Sequence, residues 1–230
     1  MRILMMVLSV IGAMSAAAVS AQIVAAEYTQ PTTRYDHGVL GDAVEWGALQ
    51  VRLADGRTET FVLPETLVFE DIAPRLADLD GDGAAEVIVV ESSLTKGARL
   101  AVWSAAGRIT ATPHIGSRNR WLAPVGAADL DGDGRIEIAF VDRPHLAQIL
   151  RVWRFAAGGL TEVAAADGFS NHQIGWDYIA GGIFDCGQGP EMVLASSDWQ
   201  RVLAARLESG AIVTRDLGRY AGPDSLTCKP

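Results

Sequence analysis

The stretch Leu76-Ala77-Asp78-Leu79-Asp80-Gly81-Asp82-Gly83-Ala84-Ala85-Glu86-Val87-Ile88-Val89-Val90 returns as Ala127-Ala128-Asp129-Leu130-Asp131-Gly132-Asp133-Gly134-Arg135-Ile136-Glu137-Ile138-Ala139-Phe140-Val141, a shift of 51 residues from Asp78 to Asp129. A degraded third copy, Gly182-Ile183-Phe184-Asp185-Cys186-Gly187-Gln188-Gly189-Pro190-Glu191-Met192-Val193-Leu194, sets Asp185 and Glu191 against Asp131 and Glu137 at a shift of 54. A chain repeated this way is built from one supersecondary unit that buries its apolar face only against the next copy. That constraint comes before any reading of individual residues.

After each loop the sequence continues alike. In the first copy a β-rich run at Glu86–Val90 is followed by Arg99–Trp103, an Ala106-Gly107 turn and Arg108–Thr112. The second copy gives Ile136–Val141, Ile149–Phe155 and Leu160–Ala164 around Gly158-Gly159, and the third Glu191–Ala195, Arg201–Leu207 and Ala211–Arg215 around Ser209-Gly210. With a strand leading into each loop, every unit has four strands, and a four-stranded unit at this period is the composition of a β-propeller blade. Gly47–Leu53 and Arg57–Leu63, around Ala54-Asp55-Gly56, read as the last two strands of an incomplete earlier unit. No long helical periodicity competes, because the Ala-rich stretch at Val163–Ala166 is short and runs into Asp167-Gly168. The expectation is therefore an all-β propeller-type array of about four four-stranded blades over residues 35–217.

The loops carry the chemistry. In Asp78-x-Asp80-x-Asp82-Gly83-x-x-Glu86, carboxylates stand at positions one, three, five and nine, and Asp129, Asp131, Asp133 and Glu137 repeat the set. Calcium, a hard ion taking six to eight oxygens, calls for alternate carboxylates on a tight turn, with a backbone carbonyl adding a further oxygen. Left bare, four carboxylates within nine residues repel one another. An EF-hand shares the opening but requires a Glu at position twelve and flanking helices. Position twelve here is Val89 or Phe140, and both flanks are β-rich.

At these residues the chain resembles the FG-GAP or VCBS repeat family, the β-propeller repeats found also in integrin α-chains, over roughly Leu67 to Leu217. The resemblance implies Asp78, Asp80, Asp82 and Glu86 as ligands of one calcium ion and Asp129, Asp131, Asp133 and Glu137 as ligands of a second. The third loop keeps only Asp185 and Glu191 and is expected to hold no ion. Family propellers usually carry more blades, which leaves open whether the ring closes within one chain.

The rest of the sequence places the array. Met1-Arg2, an apolar run from Ile3 to Met14 and the small residues ending Val19-Ser20-Ala21 read as a signal peptide over 1–21, with a cut after Ala26 as the alternative. Residues 22–34 then read as a linker, and no later stretch is apolar enough to suggest a membrane span. Export, to periplasm or beyond, makes the two cysteines a disulfide, Cys186–Cys228, tying back a tail at 218–230 and standing in for the ion missing from the third loop. The formal charge of −9 argues against a nucleic-acid partner, which requires a basic face.

No catalytic motif emerges. His37, His114, His145 and His172 lack zinc-ligand spacing, and there is no Gly-x-Ser-x-Gly elbow or phosphate loop. Trp103 and Trp153 fall at comparable places in successive units and are expected in the core, while Trp121, Trp176 and Trp199 are expected nearer the surface. Ser170–Tyr178, with Asn171, His172 and Trp176, is the candidate binding loop. The expected function is a non-catalytic protein- or glycan-binding or scaffold module. The alternatives are a propeller-based polysaccharide lyase or hydrolase, which convergence of Arg143, His145, His172 and Asp177 in one pocket would favour, and a structural subunit whose ring another chain completes.

Overall fold

The computed structural model describes residues 21–228, so the signal-peptide reading, apart from Ala21, lies outside the described residues. The described chain is all-β, with one short 3-10 turn at Pro223–Ser225. The strands, in order, are β1 (Ile23–Thr32), β2 (Glu45–Leu53), β3 (Thr58–Val62), β4 (Leu67–Phe69), β5 (Arg75–Ala77), β6 (Glu86–Ser93), β7 (Gly97–Ser104) and β8 (Gly107–Ala111). They continue as β9 (Leu122–Ala128), β10 (Glu137–Asp142), β11 (Ile149–Ala156), β12 (Gly159–Asp167), β13 (Phe169–Ser170), β14 (Gly182–Asp185), β15 (Pro190–Ser196), β16 (Arg201–Glu208) and β17 (Ala211–Arg219).

All pairing is antiparallel. The first unit is β1-β2-β3, and β4 ties it to the second unit, β5-β6-β7-β8, through a single pair, Trp46↔Phe69. The third is β9-β10-β11-β12. The fourth is β14-β15-β16-β17, with β13 pairing the far end of β15. Three units thus have the expected four strands and the first has three. The segment 22–34 is no linker. It contains β1, paired with β2 from Ile23↔Leu53 to Thr32↔Glu45, of which only Ile23 and Tyr28 are buried.

The units stack face to face. The second strand of each of the last three, β6, β10 and β15, is covered on both faces, which is why these strands read as continuous Val/Ile/Leu-rich runs and not as an alternation. Between the first and second units lie Leu49, Val51, Phe69, Val87 and Trp103; between the second and third, Ile88, Leu100, Trp121, Ile138 and Phe140; between the third and fourth, Val141, Leu150, Phe169, Met192 and Leu194. Trp103 is in the core as expected. Trp121, expected nearer the surface, is 2% exposed, because its indole N–H donates to the Glu70 carbonyl at 2.8 Å and its ring fills the second interface.

The two ends of the stack are finished differently. On the first unit the outer face carries Glu27, Gln50, Arg52 and Thr58, a polar surface that needs no cover. On the fourth, the apolar face made by Val193, Ala195, Val202 and Ala204 is covered by Leu226, Tyr220 and Trp199 and by the Cys186–Cys228 disulfide. Residues 33–44 form a strap from the first unit to the others. Val39 joins the second interface, its carbonyl accepts from the Gly175 N–H at 3.1 Å, and the Asn119 N–H donates to the Tyr35 hydroxyl at 3.0 Å. Among the described residues no helix is long and apolar enough to cross a membrane.

Candidate metal loops

Each acidic loop links the first and second strands of a unit, β5 to β6 and β9 to β10, at the joint between neighbouring sheets. The second residue of the loop is its anchor. Leu79 (2% exposed) inserts into the interface between the second and third units, and Leu130 (5%) into that between the third and fourth. Burying one leucine side chain contributes about 2 kcal/mol. The anchor N–H is held as well, since Leu79 N–H donates to Glu86 Oε2 and Leu130 N–H to Glu137 Oε2, each at 2.9 Å. The turn between anchor and glutamate needs positive φ, supplied by Gly81 and Gly83 (+77° and +86°) and by Gly132 and Gly134 (+76° and +84°).

The first aspartate organises the turn. Asp78 accepts from the N–H groups of Gly81 (2.8 Å) and Gly83 (3.0 Å), and Asp129 from those of Asp133 (3.0 Å) and Gly134 (2.9 Å). The result is that Asp78, Asp80 and Glu86 offer carboxylate oxygens within 4.8 Å of one another, and so do Asp129, Asp131 and Glu137. Asp82 and Asp133 stand outside these groups, because Asp82 turns back to accept the Ala84 N–H (2.7 Å) and Asp133 the Arg135 N–H (3.0 Å). Glu86 and Glu137 are both buried, and removal from water pushes their carboxyls up. A positive charge held against either glutamate opposes that penalty. All-oxygen donors of this count suit a hard divalent ion.

The loops differ in what faces them. No ion pair reaches Asp78, Asp80, Asp82 or Glu86 among the described residues. In the second loop Arg154 bonds Asp131 (2.6 Å), Asp133 (3.2 Å) and Glu137 (2.6 Å) together. In the third, Asp185 accepts from Gly187 (2.8 Å) and Gly189 (3.2 Å), Glu191 pairs with Arg215 (2.7 Å), and Cys186 bonds to Cys228.

Other sequence candidates land elsewhere. Asn171 and His172 are fully buried. The Asn171 amide donates to the Ala123 carbonyl (3.2 Å), and His172 bonds His145 through one ring nitrogen (3.0 Å) and the Trp176 carbonyl through the other (2.9 Å). They hold the loop in place, because the segment between β13 and β14 turns inward toward Trp121 before it surfaces. Trp176 surfaces partly, stacked on Tyr178 (4.6 Å) and edge-on to Trp199 (5.3 Å), which in turn meets Tyr220 (5.2 Å). Of Arg143, His145, His172 and Asp177, the two histidines touch, and Arg143 and His145 line a cavity of about 30 Å³ with the Arg143 guanidinium held by Asp142. Asp177 lines a separate cleft with Asp42 and Ile72. The sequence reading did not foresee the buried polar set at the centre, in which His37 bonds Glu70 (2.5 Å) and Ser92 donates to the same carboxylate. No local pattern could announce it, since its members are scattered along the chain.

Residues 78–140 match the FG-GAP-like repeat, a span running from the first residue of the first acidic loop into β10 and so including both loops. The chain thus carries the repeat that its acidic motifs resemble. No curated protein matches the chain.

Proposed function

We propose that this chain is an exported, non-catalytic binding module of the propeller-repeat type, in which calcium in an acidic loop fixes one sheet against the next and the aromatic face of the last unit holds a protein or glycan partner. The observation that carries this reading is the first loop. Three of its carboxylates gather within 4.8 Å with no cation of the protein's own, on a turn whose leucine is anchored between two sheets. An ion there would tie the exposed side of the turn to its buried side.

The partner surface is read from Tyr178, Trp176, Trp199 and Tyr220, a contiguous aromatic group of which the last three pack on the apolar end of the fourth unit and stay partly exposed, as side chains that stack on sugar rings or anchor protein contacts must. Absence of catalysis is favoured by the central histidines, since both ring nitrogens of His172 are consumed by hydrogen bonds within the protein. Export is supported by the disulfide. A cut after Ala21 leaves β1 whole, whereas one after Ala26 removes the buried Ile23 and its pairing with Leu53.

The test is thermal unfolding of the oxidised mature protein with calcium and with chelator. A ligand at about 100 times its dissociation constant adds about 2.7 kcal/mol, which raises Tm by several degrees. Identical melting under the two conditions, with no ion detected in the native mass spectrum, would refute the calcium reading.

A further inference from the structure

The position across the sheet from the glutamate that closes each loop differs between units. Glu137 of β10 is paired with Arg154 of β11, and cross-strand partners share a face. In the second unit Val87 pairs with Trp103, so the residue facing Glu86 is Ser104, whose hydroxyl is occupied in its own turn by the Gly107 carbonyl and the Ala106 N–H. In the fourth, Met192 pairs with Ala205, which places Arg206 opposite Glu191, where it bonds Gln188 of the degraded loop.

We propose that Arg154 is a built-in cation that occupies the second acidic loop in place of a metal ion, so that the chain binds one calcium ion, in the first loop, and not two. This rests on the calcium reading of the first loop and deepens it.

The geometry supports the substitution. The guanidinium fork spans three of the four carboxylates that the sequence offers as ligands and takes Oε1 of Glu137, while Oε2 of the same glutamate is held by the Leu130 N–H. Both oxygens of the buried ligand are thereby used. The Arg154 side chain is 17% exposed and that of Glu137 0%, so the pair is weakly screened, unlike an ion pair at the surface. Arg135 adds a second positive charge at Asp133, at 3.0 Å. A divalent ion entering among these oxygens would meet a like charge at contact distance and would have to expel Arg154 from the sheet face where Glu137 pairs with it. Among the described residues the first loop presents no such competitor. It carries the same number of carboxylates with no counter-charge, so it gains from an ion and the second loop does not.

Arg154 and Arg206 also order the units. Where the residue facing the closing glutamate is serine, all four acidic positions are kept and none is paired. Where it is arginine, the loop is either filled by it or has lost two of its three aspartates. Each loop is held by one cross-link of its own: an ion in the first, a guanidinium in the second, and a disulfide in the third.

Calcium titration by calorimetry, with native mass spectrometry at about 1 mM calcium, the range in which extracellular calcium modules work, tests this on the oxidised mature protein. The wild type is expected to hold one ion, Asp80→Lys to hold none, because the change removes a ligand and sets an ammonium among the remaining carboxylates, and Arg154→Ser to hold two. Two ions on the wild type, one remaining on Asp80→Lys, or no gain in a folded Arg154→Ser would overturn the assignment of Arg154 and leave the calcium reading of the module standing. No ion on any of the three proteins would overturn both. The Asp80→Lys result is decisive even if Arg154→Ser fails to fold, because Asp80 is an exposed loop residue.

Discussion

Breaking the disulfide by the double change Cys186→Ser and Cys228→Ser should loosen one end of the stack and leave the other intact. The bond closes a span of 42 residues, for which the chain-entropy treatment gives about 4 kcal/mol at 25 °C. For a fold of this size each kcal/mol moves Tm by about 2–4 °C, so the double variant should melt about 8–16 °C lower. The tail contacts that survive reduce the loss somewhat. Leu226 is 3% exposed, and Ser225 Oγ bonds the Ala221 N–H (3.1 Å) and the Gly222 carbonyl (2.6 Å), which pre-forms the tail's turn. The location of the effect is the sharper test. With the tail free, the face of Val193, Ala195, Val202 and Ala204 loses its cover, so hydrogen exchange should accelerate in β15 and β16 while β2 and β6 keep wild-type protection. Scanning calorimetry with exchange read by mass spectrometry would show both effects. A Tm within about 2 °C of wild type with unchanged protection over residues 190–208 would refute the idea that the tail caps the fourth unit.

Three further outcomes follow from buried groups. Glu45 is 2% exposed, and burial, reinforced by Glu70, Asp42 and Asp71, pushes its carboxyl from 4.5 up to about 9. The native protein keeps a proton that the unfolded chain releases, so stability falls as pH rises from about 4.5 to about 9. Glu45→Gln should therefore raise Tm more at pH 8 than at pH 5, and equal shifts at both would refute this. At the centre, burial lowers His145 from 6.5 to about 4, with His172 lowered too. The unfolded chain takes up these protons first, so stability falls as pH drops from about 6.5 toward about 4, and C2–H signals of His145 and His172, assigned by substitution, that titrate near 6.5 in the folded protein would contradict this. Finally, Gly97 has φ +70° and a Cβ there would lie 2.2 Å from the Ser117 carbonyl oxygen, so Gly97→Ala should cost about 3 kcal/mol in denaturant unfolding. A cost below about 1 kcal/mol would mean that the 117–120 loop yields easily.

The period of the repeat, the four-stranded unit, the two acidic loops and the cysteine pair were legible in the amino-acid sequence, because each is written within one unit or follows from counting. Asp78 to Glu86 closes on itself through hydrogen bonds within nine residues, from the Gly81 and Gly83 N–H groups to Asp78 and from the Leu79 N–H to Glu86. β1 resembles a linker until its partner is known, because its apolar residues show no alternation and only Ile23 and Tyr28 are buried, against neighbours that the pairing with β2 supplies. Trp121, Asn171 and His172 stand in connecting segments, and only the packing of the second and third interfaces turns those segments inward.

Apart from Arg135, which stands in the second loop where the first has Ala84, the difference between the two loops belongs to tertiary structure. Both carry the same four acids at the same spacing, but whether a loop faces Ser104 or Arg154 depends on the register of the neighbouring strand, and one residue of slip would put the arginine on the opposite face. Local sequence sets how many carboxylates a turn presents. Which positive charge answers them is decided by strand pairing, because Coulomb attraction at about 3 Å acts between neighbours in space, and Arg154 is 17 residues away along the chain from the glutamate it holds.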